Sequence, residues 1–332
     1  MFSKNALTSL ELQSLEEIKE FQNQKLQEQI KYLATHSKFY QDLFKKYQID
    51  WKSIQTTEDL KLIPVTTKND LQQYNFDFLC VPLTEIIDYS TTSGTLGDPV
   101  TFGLTDKDLD RLAANEMNSF QRIGVQKGDV VQLMTTIDRR FMAGLAYFLG
   151  LRKIGAGVIR VGAGVPQLQW DSILKYQPKF LVAVPSFLLK MLDYAEKNNI
   201  DYQNSSVKSV LCIGESLRDK DLNSSLLAQK INSKWDIQLF STYASTEMGT
   251  AFTECNESVG GHHQPDLIIT EILDENNEVV QDGELGELTI TTLGIEGMPL
   301  LRFKTGDLVR KHSDKCKCGS NSYRLGPVEG RK

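Results

Sequence analysis

Apolar positions in the first fifty residues follow helical spacing. Between Leu15 and Leu33 the apolar residues recur at intervals of roughly three to four among Glu, Gln and Lys, as on one face of an α-helix. We predict two helices within residues 8–48, the second around 38–47, packed on a core. Pro64 indicates a turn, and Thr67 is suitably placed to cap a short helix.

From Asp129 onward, short apolar runs alternate with longer amphipathic ones. The predicted strands are 129–136, 156–162, 179–185, 207–214 and 236–243, and the predicted helices are 141–155, 166–176, 186–199 and 218–231. This alternation predicts parallel βαβ units. After Asp266, apolar and polar residues alternate and turn signals occur at 276–277 and 282–283, which predicts a β-rich part.

The patterns together predict a layered α/β fold in three parts. Residues 1–80 form a helical part, 81–254 an α/β part, and 255–332 a β-rich part. We find no internal repeat or low-complexity segment in the sequence.

Composition narrows the class of protein. The 332 residues are 40% hydrophobic and 24% charged, with a net charge of −6, which is typical of a globular protein. We find no basic run of the kind that marks a nucleic-acid binder, no apolar run near the ~20 residues of a membrane helix, and no apolar signal core at the N-terminus. We therefore predict a cytoplasmic protein with five cysteines that are thiols or metal ligands.

The stretch YSTTSGTLGDPVT, residues 89–101, is rich in hydroxyls and glycine. Such a stretch favours phosphate binding, because glycine lets the main chain approach an anion and successive N–H groups can surround it. The Walker pattern is absent, since Gly94 is followed by Gly97 and no Lys-Ser or Lys-Thr follows. Taken alone, a stretch rich in Ser, Thr and Gly is more often a plain linker.

The order of residues resolves this ambiguity. Residues 92–99 (TSGTLGDP) resemble the phosphate loop of the adenylate-forming enzymes, the acyl-CoA ligase superfamily. Three further matches follow in the family's order: GES at 214–216, YASTE at 243–247 with Ala244 in place of glycine, and RFKTGD at 302–307, where Phe303 and Lys304 depart from the pattern. The segments IPVTTKNDL, LTDKDLDR and CKCG resemble the phenylacetate–CoA ligase branch, and the resemblance spans residues 10–331.

The resemblance implies ATP-dependent activation of a carboxylic acid to an acyl-adenylate, with CoA as co-substrate. It assigns the phosphates to Thr92, Ser93, Gly94, Thr95 and Gly97, and the rest of the nucleotide to Gly214, Glu215, Ser216, Tyr243, Ala244, Ser245, Asp307 and Arg331. Thr246 would donate to the α-phosphate, Glu247 would ligate Mg²⁺, and Asp307 would accept from the ribose hydroxyls. Plainer interpretations stay open: Glu247 as a helix-start acid, Asp307 as a turn residue and Tyr243 as core.

The acyl pocket is the part of the site with the weakest sequence signal. Its candidate walls lie at strand ends beside the matched motifs and are Phe141, Ala143, Gly144, Ile213 and Ala244. An apolar wall suits an aryl or medium-length acyl acid. Phe141 equally fits plain core.

The cysteines suggest a metal. Cys316 and Cys318 are too close in sequence for an unstrained disulfide, and with Cys255 and His262 they make a donor set suited to tetrahedral Zn²⁺. The resemblance adds that His262 stands where relatives carry a histidine, which implies a structural zinc. Free thiols on a β-hairpin are the alternative, and Cys80 and Cys212 fit core positions.

In the family, a Gly-Arg pair such as Gly330-Arg331 opens the hinge to a small C-terminal domain with a catalytic lysine. We expect that domain to be absent from this chain, so that it binds nucleotide, forms acyl-adenylate slowly and makes no thioester. Two alternatives remain: a same-fold adenylating enzyme with an acceptor other than CoA, and a degenerate nucleotide-binding module. The sequence leaves a homodimer open.

Overall fold

The computed structural model describes residues 8–92 and 99–332. Within these ranges the helices are α1 Leu15–His36, α2 Lys38–Lys46, α3 Lys68–Tyr74, α4 Asp106–Arg122, α5 Met142–Ile154, α6 Pro166–Tyr176, α7 Pro185–Lys197 and α8 Leu226–Asn232. The strands are β1 Asp88–Thr91, β2 Thr101–Leu104, β3 Val130–Leu133, β4 Gly157–Arg160, β5 Phe180–Ala183, β6 Ser209–Cys212, β7 Gln238–Ser245, β8 Thr250–Thr253, β9 Gly261–His262, β10 Ile268–Leu273, β11 Leu285–Thr292, β12 Phe303–His312, β13 Arg324–Leu325 and β14 Gly330–Arg331.

One large sheet runs through the described structure, and its two halves differ in strand direction. Strands β4, β3, β5, β6 and β7 are parallel neighbours in that order. From β7 the sheet continues through β8, β9, β13, β12, β11 and β10 in antiparallel pairs, and β14 also pairs with β12. The predicted βαβ units and the β-rich part after residue 266 are therefore confirmed.

Apolar clusters cover the parallel half on both faces, as a parallel sheet requires. One cluster contains Trp170, Leu188 and Trp235, and the other contains Phe120, Tyr147 and Phe240. A third cluster joins the N-terminal helices to the antiparallel half. None of the eight helices in residues 8–92 and 99–332 combines the length and apolar character that crossing a membrane requires.

Most of the elements predicted before residue 244 are confirmed, including the two N-terminal helices. Thr67 caps α3 in a reciprocal capping box with Asp70. The predicted helix at 218–231 is wrong in its first half, because the helix begins at Leu226. The Asp219 carboxylate accepts the backbone N–H groups of Asp221 and Asn223, which holds this segment in an irregular turn.

Helix α4 is an element that the periodicity analysis did not predict. It begins with a capping box between Thr105 and Asp108 and packs against both α5 and β8. Strands β1 and β2, also not predicted, pair in a hairpin whose connection is the hydroxyl-rich stretch. The hydroxyl-rich stretch is therefore bounded by two paired strands, and α4 begins directly after the second of them.

Candidate active site and metal centre

A cleft of about 1250 Å³ opens at the carboxyl ends of the parallel strands, where ligands of open α/β sheets bind. The predicted site residues that line it are Thr92, Phe141, Ala143, Ile213, Gly214, Glu215, Ser216, Tyr243, Ala244, Ser245, Thr246, Glu247, Asp307 and Arg331. Gly144 is not among its described lining residues. A Cβ on Gly144 would lie 1.9 Å from the carbonyl oxygen of Thr136, so this glycine lets α5 pack against the neighbouring backbone.

The predicted phosphate loop begins at Thr92, directly after β1, and Thr92 lines the cleft. Its predicted ligands Ser93, Gly94, Thr95 and Gly97 lie outside the described residues. Thr92 is buried. Its N–H donates to the carbonyl oxygen of Val100 at 3.0 Å, and its hydroxyl accepts the N–H of Val100 at 3.1 Å. The two ends of the loop are thus held together at the cleft.

Asp307 is the centre of a polar group that we call the nucleotide end, formed by Tyr243, Asp307 and Arg331. The Tyr243 hydroxyl donates to Asp307 Oδ2 at 2.7 Å, and Arg331 Nε donates to Asp307 Oδ1 at 2.6 Å. Asp307 and Arg331 are cross-strand partners on β12 and β14. Asp307 is buried, and both its oxygens have a donor, so its orientation is fixed.

These contacts have electrostatic consequences. Burial, followed by the Asp307 charge, raises the pKa of Tyr243 well above its ordinary value. The hydrogen bond to Asp307 raises the pKa of Arg331. Tyr243 therefore remains a neutral donor and Arg331 remains a cation, and both hold the Asp307 carboxylate in place as a hydrogen-bond acceptor.

Thr246 and Glu247 lie at the turn between β7 and β8. Glu247 lines the cleft, and its carboxylate makes no hydrogen bond within residues 8–92 and 99–332. The next residues are fixed by Arg111 of α4, which donates to the Gly249 carbonyl at 2.7 Å and to the Thr250 hydroxyl at 3.0 Å. The free carboxylate therefore sits on a rigid turn.

Sequence analysis did not single out Arg111, since its partners lie far along the chain. It also donates to the carbonyl oxygens of Leu293 and Leu267 at 2.7 and 2.6 Å. Burial lowers the pKa of Arg111 to about 10, so the guanidinium stays charged at neutral pH. Arg111 thus ties α4, the β7–β8 turn and the antiparallel half into one unit.

Glu215 has a definite structural role. Its carboxylate accepts the Ser186 N–H at 2.8 Å and the Ser186 hydroxyl at 2.7 Å, at the first turn of α7. A carboxylate is favourable there because helix N-termini carry unpaired N–H groups. Gly214, with φ 76°, makes the turn out of β6 that brings Glu215 to this position.

The sequence analysis also did not predict an ion pair between the largely buried Arg218 and the buried Glu254. Arg218 Nε and Nη2 donate to the two oxygens of Glu254 at 2.8 and 3.0 Å, and Glu254 also accepts the Ser241 N–H at 2.8 Å. Both side chains line the cleft. The fork of Arg218 matches the carboxylate and holds residues 214–218 against β7 and β8.

The predicted metal ligands come together. The ligand atoms of Cys255, His262, Cys316 and Cys318 lie within 4.8 Å of one another. The Cys255 and Cys316 sulfurs are 3.6 Å apart, and Cys318 Sγ is 3.7 Å from His262 Nε2. Tetrahedral zinc, with bonds of about 2.0–2.3 Å, needs ligand separations of about 3.5–3.8 Å. The set can therefore hold zinc.

Burial argues against the free-thiol alternative, because Cys255 and Cys316 are both buried rather than exposed on a hairpin. Hydrogen bonds from Cys255 and Cys318 lower the pKa of the Cys316 thiol, whereas the hydrogen bond with Cys316 raises the pKa of Cys255, so the cluster without a metal favours a thiolate at Cys316. Cys80 and Cys212 are core residues as predicted. Burial raises the pKa of Cys80 to about 12.

Comparison with known proteins supports the fold and the family of this chain. The family model described as AMP-binding enzyme matches residues 90–296. A phenylacetate-coenzyme A ligase of Thermus thermophilus is 27% identical over 97% of this chain and 72% of its own length, and one of Pseudomonas putida is 29% identical over 98% and 73%. The crystal structure of an open 2-hydroxyisobutyryl-CoA ligase in complex with 2-HIB-AMP and CoA has a TM-score of 0.87 at 22% identity, over 98% of this chain and 79% of that one.

Proposed function

The chain belongs to the AMP-binding enzyme family, and from that premise we propose that it activates a carboxylic acid with ATP to an acyl-adenylate. One observation carries the proposal: the nucleotide end, the Thr246–Glu247 turn and Thr91 and Thr92 of the hydroxyl-rich stretch meet in one cleft. The small-molecule acid and CoA are the proposed partners, since the named relatives at 27% and 29% identity are CoA ligases. The three-part division, a homodimer and a cytoplasmic location stay predictions.

In the proposed reaction a carboxylate oxygen attacks the α-phosphorus of ATP and pyrophosphate leaves. The protein need only position the two anions and neutralise charge. The Thr246 hydroxyl would donate to the α-phosphate, and Asp307 would accept from the ribose hydroxyls. Arg331 would keep Asp307 oriented and lower the local negative potential.

Mg²⁺ fits Glu247. The carboxylate lines the cleft without a hydrogen bond to another described residue, and a hard cation takes one or two carboxylates beside phosphate oxygens. When bound, the ion would neutralise phosphate charge. Glu247 would then orient the triphosphate relative to Thr246.

Zinc fits the cluster of Cys255, His262, Cys316 and Cys318, and we propose that it is structural. Four protein ligands fill a tetrahedral site and leave no position for a substrate. The cluster joins residues 255–262 to the segment that carries Cys316 and Cys318. No step of the proposed reaction requires it.

The experiment is acyl-adenylate formation with enzyme in excess over α-labelled ATP and a panel of carboxylic acids. These conditions detect even a slow reaction. Glu247→Gln should lower the rate by about 10²-fold or more, and the exposed Glu275→Gln is the matched control. Absence of labelled adenylate with every acid, in protein that binds ATP, would leave only the binding-module alternative.

A further inference from the structure

A buried carboxyl group that the proposed reaction does not use lies on the wall of the cleft. Glu116 of α4 is 4% exposed and lines the cleft. Its Oε1 accepts a hydrogen bond from Asn115 Nδ2 at 2.9 Å. Its Oε2 is buried and has no hydrogen-bond partner among the described residues. A buried polar atom left in this state costs stability unless something else satisfies it.

The side-chain amide of Asn115 fixes this difference between the two oxygens of Glu116. Asn115 Oδ1 accepts the Ala251 N–H at 2.9 Å and Gln264 Nε2 at 2.7 Å. The NH₂ group of Asn115 must therefore point to Glu116. We call Glu116, Asn115 and Gln264 the acyl end. Its hydrogen bonds occupy one oxygen of the Glu116 carboxyl group and leave the other without a partner among the described residues.

Several apolar residues line the same cleft as Glu116. Leu112 lies one turn earlier on the same face of α4, and Met134, Ala146 and Tyr147 line the same cleft. Gly150 of α5 brings the two helices together, because a Cβ there would lie 2.5 Å from Glu116 Cβ. Burial raises the pKa of Glu116 to about 8, with the Tyr147 hydroxyl as its titratable neighbour on α5. At neutral pH the carboxyl is mostly protonated and can both donate and accept.

Resting on the proposed function, we propose that Glu116 is a specificity-determining residue that hydrogen-bonds a hydroxyl group on the acyl part of the substrate. A hydroxyl suits it best, because it too both donates and accepts. The substrate class is then a hydroxyl-bearing carboxylic acid, which is narrower than the aryl or medium-length acyl acid that the predicted walls suggested. Sites built to hydrogen-bond a substrate hydroxyl strongly reject the analogue that lacks it.

The test uses binding, so that it does not depend on the rate of chemistry. Phenylacetyl-sulfamoyladenosine, a stable acyl-adenylate mimic, is compared by calorimetry with its 2-, 3- and 4-hydroxyphenylacetyl counterparts. We expect one hydroxy isomer to bind at least about tenfold more tightly than the parent compound. Glu116→Met should remove this preference, while Glu116→Gln, which retains polar atoms, should retain part of it.

The matched control is Gln132→Met. Gln132 is buried on β3, and its Oε1 likewise lacks a partner among the described residues, but it is not a described lining residue of the cleft. This variant should bind the compounds like wild type. Failure of wild type to bind any of the four compounds would overturn the proposed function. Binding of all four compounds with equal affinity would overturn the role of Glu116 but not the proposed function. That result would indicate that only water satisfies Oε2.

Discussion

The two ends of the cleft bury one carboxyl group each, and they treat it differently. At the nucleotide end, Asp307 receives a donor on both oxygens, from Tyr243 and Arg331. At the acyl end, Glu116 receives one donor, from Asn115. A carboxyl group with a donor on both oxygens has a fixed orientation before a ligand binds. A carboxyl group with a donor on one oxygen makes the affinity for a ligand depend on the hydrogen bond that the ligand supplies. The same chemical group thus serves for positioning at one end and for discrimination at the other.

The supports of the two ends also differ. The nucleotide end is built on strands β7, β12 and β14. The acyl end is built on helix α4 and reaches Gln264, two residues after the metal ligand His262. We therefore expect the acyl end to depend more strongly on the metal centre.

Loss of the metal should have the largest effect. Cys318→Ser or chelation should remove one zinc per chain and lower the free energy of unfolding by several kcal/mol, because metal binding stabilises the fold that assembles its ligands. The antiparallel half should loosen while the βαβ half stays folded, and discrimination at the acyl end should fail before AMP affinity does. Elemental analysis and denaturant unfolding measure these effects.

Cys212→Ala is the control, since this buried thiol lies in the core of the parallel half. This substitution should lower the free energy of unfolding by about 1 kcal/mol through lost packing and leave the metal content unchanged. Freshly purified wild-type protein without any metal would contradict the assignment of a zinc site.

Glu116→Gln should change how stability depends on pH. Burial raises the pKa of Glu116 from 4.5 to about 8, so between these values the folded chain keeps a proton that the unfolded chain has released. Wild-type stability should therefore fall relative to the variant as pH rises from 5 to 8, by up to about 1.4 kcal/mol per pH unit. Parallel curves for the two proteins in this window would show that Glu116 is not buried as described.

Asp307→Ala should weaken ATP or AMP binding by about 1.5–3 kcal/mol, the range for hydrogen bonds to a charged group. Calorimetry measures the affinity. Asp282→Ala, a partly exposed acid paired with Ser313, should leave it unchanged. Unchanged affinity in the Asp307 variant would remove its ribose role.

Tyr243→Phe should have the smallest effect. It removes one hydrogen bond to Asp307 and keeps the ring, so nucleotide affinity should fall by about 0.5–1.5 kcal/mol. Arg331 still orients the carboxylate in this variant. A loss as large as that of Asp307→Ala would mean that Tyr243, and not Asp307, makes the main contact.

Local signals explain what the sequence could predict. The motifs at 214–216 and 243–247 follow or end the parallel strands β6 and β7, so their meeting at one edge of the sheet follows from βαβ order. The motif at 302–307 lies at the start of the antiparallel strand β12, and βαβ order does not predict its position. The Cys/His cluster was predicted from the kinds of metal ligand present, thiols and an imidazole. The sequence did not predict the hydrogen bonds and ion pair of three residues, Arg111, Arg218 and Glu254, because their partners lie far away in sequence. Glu116 did carry a signal, since it falls on the apolar stripe of α4 with Leu112 and Phe120. The start of α8 was wrong because Asp219 hydrogen-bonds its own backbone.

The most direct measurement follows an oxygen atom. A carboxylic acid labelled with ¹⁸O in its carboxylate is incubated with ATP and the protein, and hydroxylamine then cleaves the acyl carbon–oxygen bond of any adenylate. If the acid attacks the α-phosphorus, the released AMP carries one ¹⁸O from the acid, with pyrophosphate as the other product. Label in inorganic phosphate with ADP as product, or AMP without label, would contradict activation of the acid as an adenylate.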